Sequence, residues 1–281
     1  MRSSSPSPSQ SKAYGVASAP NFTSAAYQRD AFHGEYRTWY PSGAPFEVRH
    51  YDRGRESGLQ QSWTIDGQLY LNYEVRNGRR YGFVNAKPCV PVAEKAAPTS
   101  ASTLPYYVDA SFTPHWTRPA ASRSLDFNLV TQDGTPLTAA DLRGRIHVAS
   151  FIFTRCTAIC PVMVKQLETV QDAVEKDVVF VSYSVTPDLD RPGDLAAFAA
   201  RHGVNPARWR LVTGDRAQIY RLARDFYFAQ DRRTLPDGEF LHTEKVVLVD
   251  GNGDLRGVYN ATQPFDMQRL REDITVLQVN R

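Results

Sequence analysis

The sequence is poor in cysteine, in long apolar runs and in excess charge, and each shortage excludes a class of protein. Three cysteines in 281 residues make no disulfide framework for a chain of this length. They leave one close pair, Cys156 with Cys160, and one odd thiol, Cys89. No run approaches the ~18 apolar residues of a membrane-spanning helix. The net charge is only +3, from 33 basic and 30 acidic residues. The charges are interspersed, and no basic block argues for a nucleic-acid partner. The start, Met1 to Ser9, has one basic residue and no apolar stretch after it, so it does not read as a secretory signal. The expectation is a protein that stays inside or one whose signal has been removed or lost.

What is present suits two domains, since one domain typically takes roughly 100–200 residues. Residues 1–26, opening on Ser, Pro and Ala, read as a disordered lead. Residues 27–90 form a first module, and residues 91–120, again rich in Ala, Pro, Ser and Thr, read as a linker. Tyr106, Tyr107, Phe112 and Trp116 give that linker something to bury. Residues 121–281 form the second domain.

The first module carries a repeat. Gly34, Gly58 and Gly82 are 24 residues apart, and so are Gly43 and Gly67, Gly54 and Gly78, Trp39 and Trp63, Phe46 and Tyr70. Alternating segments such as Glu35–Tyr40 lead into corners at Ser42-Gly43, Asp66-Gly67 and Asn77-Gly78. Such dipeptides favour the tight turns that join antiparallel strands. The expected structure is a small meander of stacked hairpins. On its glycine and aromatic spacing, the stretch 27–83 resembles the variant MORN repeats of antitoxin-like and envelope-associated bacterial proteins. That resemblance implies a β-repeat module without chemistry of its own, built to support or to dock a protein partner. Cys89, between Pro88 and Pro91, closes it. It is either buried locally or brought to the cysteine pair if the modules pack together.

From about Leu125 the pattern changes to alternating strands and helices. Leu125–Val130 followed by Asp133-Gly134 starts a hairpin, and Ile146–Phe153 and Val178–Val185 are continuous apolar runs, as strands covered on both faces require. Pro161–Val174, Leu195–His202, Ala217–Tyr227 and Met267–Leu277 have helical spacing, and Val246–Val249 with Leu255–Tyr259 read as a hairpin. The order β-β-α-β-α-α-β-β-α is that of a thioredoxin-like α/β domain with inserted helices.

The chemistry gathers at Phe153-Thr154-Arg155-Cys156-Thr157-Ala158-Ile159-Cys160-Pro161. A loop between a buried strand and a helix delivers side chains to the carboxyl edge of the sheet, where sites in open α/β folds lie. Cys160 is expected at the helix start with Pro161 as the first helical residue. There the helix dipole favours its thiolate, and Arg155 pushes the same way. The three-residue spacer opens the loop, so two sulfurs can hold one soft metal and leave room for a third ligand. Thiolates select Cu(I), and a Cys2His set also fits zinc. Spacing alone leaves three readings open: a metal site, a dithiol redox site, and inert cysteines. Thioredoxin enzymes place a proline on the turn facing the dithiol, whereas here the turn reads Leu241-His242-Thr243-Glu244. That makes His242 the candidate third ligand. His33, His50, His115, His147 and His202 have no such placement and are read as structural or surface residues.

Three separated motifs then resemble one family. They are Phe153–Pro161, Ser184-Val185-Thr186-Pro187-Asp188-Leu189-Asp190-Arg191-Pro192, and His242-Thr243 ahead of Leu248-Val249-Asp250. Over about residues 121–279 the chain resembles the SCO/SenC family of thioredoxin-like copper-binding factors that serve cytochrome c oxidase assembly. The resemblance implies copper held by Cys156, Cys160 and His242, one per chain. It implies a partner in the oxidase subunit carrying the binuclear copper centre, to which copper is delivered or whose cysteines are reduced. It also implies an extracytoplasmic location. A thiol–disulfide oxidoreductase is the alternative. The chain departs from the family's habits at Thr157, where proline is common after the first cysteine, at Leu241, where Asp often precedes the histidine, and at Thr186-Pro187, often Asp-Pro. Asp190 matches a family acidic residue. It reads either as a support for the metal ligands or a partner contact, or as a cap for the helix beginning near Pro192.

Overall fold

A computed structural model of the chain describes residues 27–28, 31–84, 103–120, 126–229, 241 and 243–280. These fall into two compact units that meet between Leu71 and Asn72.

The first unit is antiparallel β throughout, as its alternating segments and corners require. After a short pair, β1 (Tyr27–Gln28) and β2 (Ala31–Phe32), strand β3 (Gly34–Trp39) pairs with β4 (Pro45–Asp52) from Gly34↔Tyr51 onward. β5 (Arg55–Glu56) folds back on the end of β4, and β6 (Gly58–Trp63) pairs with β4 through Glu47↔Ser62 and Val48↔Gln61. Between these strands Gln60 is wholly buried, and its amide both accepts from the His50 N–H and donates to the His50 carbonyl. The 24-residue phase has a backbone origin. Every glycine in it, from Gly34 to Gly82, takes a positive φ, a region open to glycine and costly for other residues.

β7 (Leu69–Arg76) runs across the boundary and joins β8 (Arg79–Val84) through Asn77-Gly78, whose φ values of 55° and 79° suit a tight hairpin turn. At Gly82 a Cβ would stand 2.4 Å from the Asn72 carbonyl oxygen, so the close approach of the two strands admits no side chain. β8 belongs with the second unit. Tyr81 and Phe83 are buried, one in each of that unit's two cores. Arg79, 2% exposed, reaches Glu272 and donates to Asp273 at 2.6 Å on the last helix.

The second unit is built on a seven-stranded sheet. Its strands are β9 (Asn128–Thr131), β10 (Pro136–Thr138), β11 (His147–Ile152), β12 (Val179–Ser184), β13 (Trp209–Thr213), β14 (Lys245–Val249) and β15 (Leu255–Asn260), in the order β10-β9-β13-β12-β11-β14-β15. β11, β12 and β13 are parallel, and the remaining neighbours are antiparallel. β11 and β12 are buried at every residue, which is why they read as unbroken apolar runs. Alternation sends Val148 and Ile152 to one core and Ala149 and Phe151 to the other. Helices α2 (Ile159–Ala173), α3 (Pro192–Arg201) and α5 (Pro264–Val279) cover the first face. Helix α1 (Ala139–Leu142) and α4 (Arg216–Arg221), the latter running into a π-turn over Leu222–Phe226, cover the second. This is the thioredoxin-like layered fold expected.

Helix α1 and strand β13 are absent from the order expected from the sequence. β13 is not read from the sequence, because its five-residue run is short and interrupted by Arg210 between two helical patterns; in the sheet, parallel pairing with β12 and burial of Trp209, Leu211 and Val212 define it. Residues 103–120, inside the segment read as a linker, are packed, with Tyr107 and Phe112 buried as their aromatic character suggests. Leu104 enters the first core, Tyr107 and Phe112 the second, and Arg256 donates to the carbonyls of Leu104 and Pro105.

Candidate metal centre at the cysteine loop

β11 ends at Ile152 and α2 starts at Ile159. The six residues between them turn at once, with the Cys156 N–H donating to the Phe153 carbonyl at 3.2 Å. The helix has Ala158 at its N-cap and no side-chain cap. Its first amides therefore need another acceptor, and the Cys156 sulfur supplies it: the Cys160 N–H points at Cys156 Sγ at 3.3 Å. Burial opposes ionisation of Cys156, but the backbone amides of Cys160, Ala158 and Ile159 outweigh it and hold the thiol below its ordinary value. Cys160 lies inside the first turn and is only 5% exposed. Burial pushes its thiol up to about 12, and neighbouring Cys156 and Asp190 push the same way.

This reverses the expectation for Cys160. The helix start activates the sulfur that caps it, Cys156, and not the one carried within it. Pro161 is correspondingly the third helical residue and not the first. Both cysteines are free thiols.

The two sulfurs open on a cavity of about 260 Å³. The end of β11 and the loop from Arg155 to Cys160 form one side, and Leu241 and Thr243 line the other. His242 lies outside the described residues, although both its neighbours line the cavity. Cys89 also lies outside them. Among the described residues no group of three or more His, Cys, Asp or Glu side chains is placed to hold a metal. The donor chemistry present, one thiolate-prone sulfur and one buried thiol on a shared apolar cavity, fits a soft ion. The other histidines stand elsewhere: His147 is buried at the far end of β11, and His202 packs on Phe198 with ring centres 4.3 Å apart.

Asp190 is fully buried beside this loop. Its carboxylate accepts four hydrogen bonds, from the Thr154 N–H (3.2 Å), Thr154 Oγ1 (2.6 Å), Ser184 Oγ (2.7 Å) and Thr186 Oγ1 (2.9 Å). It does not cap the next helix. Arg191 occupies the N-cap of α3, and its N–H donates to Asp194. Asp190 thus pins Thr154, two residues before Cys156, to the end of β12. Thr154 and Ser184 were not singled out from sequence, since Ser and Thr are common and only the fold brings them to one carboxylate.

The SCO1/SenC family model matches residues 117–277, which include the cysteine loop, Asp190 and the segment facing the cavity. The chain belongs to the SCO1/SenC family. Among its SCO1/SenC relatives is the SCO1 protein homolog of Bacillus subtilis, 30% identical over 146 residues, spanning 50% of this chain and 76% of that protein. The mitochondrial SCO2 homolog of Danio rerio is 30% identical over 143 residues, spanning 48% and 50%. A crystal structure of a SCO1/SenC family lipoprotein from Bacillus anthracis superposes with a TM-score of 0.50 at 29% identity, spanning 57% of this chain and 99% of that one.

Proposed function

We propose that this chain binds one copper ion through Cys156, Cys160 and His242 and serves cytochrome c oxidase assembly, delivering copper to the binuclear copper centre or reducing that centre's cysteines. The observation that carries the reading is the shared cavity. Two thiols of opposite character open on it, and the residues on both sides of His242 line its facing wall. Thiolates with one imidazole are a soft donor set suited to Cu(I). The chain's family is that of copper-binding oxidase-assembly factors, which supports the same conclusion. The partner is the oxidase subunit that carries the copper centre, and the protein works outside the cytoplasm. No helix among the described residues is long and apolar enough to cross a membrane. The 24-residue repeat is a MORN-like docking element for a protein partner.

A second reading has its own support. An accessible, thiolate-prone Cys156 beside a buried Cys160 is also the asymmetry of an attacking and a resolving thiol. One experiment separates the two: copper analysis of the anaerobically reduced protein and of Cys156→Ala, Cys160→Ala and His242→Ala. About one copper per chain, lost in all three variants, is expected. Binding that survives His242→Ala sinks the three-ligand site. Strong disulfide reduction by metal-free protein, unaffected by His242→Ala, moves the function to thiol exchange.

A further inference from the structure

The cavity has two walls on different segments, and one side chain outside it ties the segments together. Tyr220 lies on α4, partly buried against the core that also holds Val185 and Leu241. Its hydroxyl donates to the Val185 carbonyl at 2.9 Å and accepts from the Leu241 N–H at 3.4 Å. Val185 continues from β12 into the loop that reaches Asp190, which holds Thr154 beside the cysteines. Leu241 lines the cavity on the other side. A connected run of hydrogen bonds therefore leads from the cysteine loop through Asp190 and the 184–190 loop to the facing wall, and the Tyr220 hydroxyl is the link that crosses.

We propose that Tyr220 is a positioning residue for metal binding: it fixes the backbone at Leu241, and with it the way the segment before and after position 242 meets the two cysteines. This rests on the cavity being the copper site. The chemistry is that of an outer support to a ligand set, whose loss leaves the ligands present but poorly aimed. The tyrosine ring has a separate role. It packs on the core, and the Arg216 guanidinium lies 5.1 Å from its centre. Tyr220→Phe therefore removes the link and keeps the packing.

The test uses the full chain with Tyr220→Phe and two kinds of readout. In reduced, metal-free protein, amide hydrogen exchange at Leu241 is expected to speed up at least tenfold while the thermal midpoint stays within a few degrees of the parent. With copper, Cu(I) affinity measured by competition is expected to fall roughly 10–100-fold, and the thiolate-to-Cu(II) absorption band to shift. Unchanged exchange at Leu241 overturns the link. Faster exchange with affinity within twofold and an unshifted band overturns its role in metal binding. If the parent chain binds no copper, the copper reading fails by itself, and the exchange measurement still decides whether Tyr220 holds Leu241.

Discussion

Replacing Asp190 measures how much the cysteine loop depends on one buried carboxylate. The side chain is fully buried and accepts four hydrogen bonds, three at Oδ2 and one at Oδ1. Bonds to a charged acceptor contribute about 1.5–3 kcal/mol each, so simple addition gives a ceiling of roughly 6–12 kcal/mol. Relaxation lowers it, because the hydroxyls of Thr154, Ser184 and Thr186 can turn to other acceptors. The Thr154 N–H cannot. Asp190→Ala is expected to cost about 3–5 kcal/mol, because the Thr154 N–H and whichever hydroxyls find no new acceptor are left unsatisfied at about 1–3 kcal/mol each. Asp190→Asn differs instructively. An amide oxygen in the place of Oδ2 keeps three bonds, and its NH2 group can donate to a turned Thr154 hydroxyl. Only the assistance of the charge is lost, about 1–2 kcal/mol. Urea unfolding of reduced, metal-free protein measures both. Trp39 and Trp63 are replaced by Phe, so that the fluorescence comes from Trp116 and Trp209 in the second unit. Copper affinity should fall with stability in Asp190→Ala. An Asp190→Ala variant within about 0.5 kcal/mol of the parent, or an Asp190→Asn variant just as damaged, would refute the reasoning.

Two further outcomes follow from buried charge. His147 is buried, its Nε2 lies 3.3 Å from the Tyr227 hydroxyl, and burial pushes it down to about 4, against the opposing pull of the Arg145 backbone and the Asp250 carboxylate. The unfolded chain takes up a proton near the ordinary 6.5, so stability is full above that pH and declines as pH falls toward 4. The loss is about 3 kcal/mol over that window. Urea titrations at stepped pH should show it, and His147→Leu should flatten it; a parent curve already flat between these values contradicts the neutral imidazole. Arg79→Ala leaves Asp273 buried without its guanidinium partner and should cost about 3–5 kcal/mol. Arg79→Lys should recover little, since one ammonium cannot serve Glu272 and Asp273 in the same fork. Full recovery by lysine would show that charge alone suffices.

The fold was legible where its signals are local. β11 and β12 are unbroken apolar runs because both faces are covered, and the 24-residue glycine phase marks positions where the backbone turns left-handed. The signal failed where a segment takes its structure from distant partners. β13 is a strand because β12 and β9 flank it. Residues 103–120 have linker composition, and beyond the aromatics that mark burial there, Leu104 is also well buried. The division between compact units after Leu71 is another such case. The repeat runs on to Gly82 without a break, but Arg79, Tyr81 and Phe83 find their partners on α5 and in the two cores, far along the chain. At the site, spacing located Cys156 and Cys160, and the fold brings both to one cavity. Thr154, Ser184 and Tyr220 could not be found this way, since each acts through a residue that only the tertiary structure supplies.

The inversion of the two cysteines shows why a motif fixes residues before it fixes roles. The expectation rested on a sound principle, that a helix start favours a thiolate, applied to the wrong sulfur. The deciding residue is Ala158. A Ser, Thr or Asp at that N-cap would satisfy the first amides with its own oxygen, typically stabilising the helix by about 1 kcal/mol over alanine. Alanine has no acceptor to offer, and the Cys160 N–H turns to Cys156 Sγ instead. The helix thus lacks an ordinary cap, and Cys156 gains the dipole and the hydrogen bonds that make it the readier thiolate. Cys160, one turn deeper and shielded from water, keeps its proton until a strong partner for the sulfur removes it. A soft metal is such a partner, because its bond to a thiolate replaces the hydration that burial has taken away. The same two cysteines with a capping residue at position 158 would be a more symmetrical pair, because the Cys160 N–H would turn to the cap's own oxygen and Cys156 would lose the hydrogen bond that sets it apart.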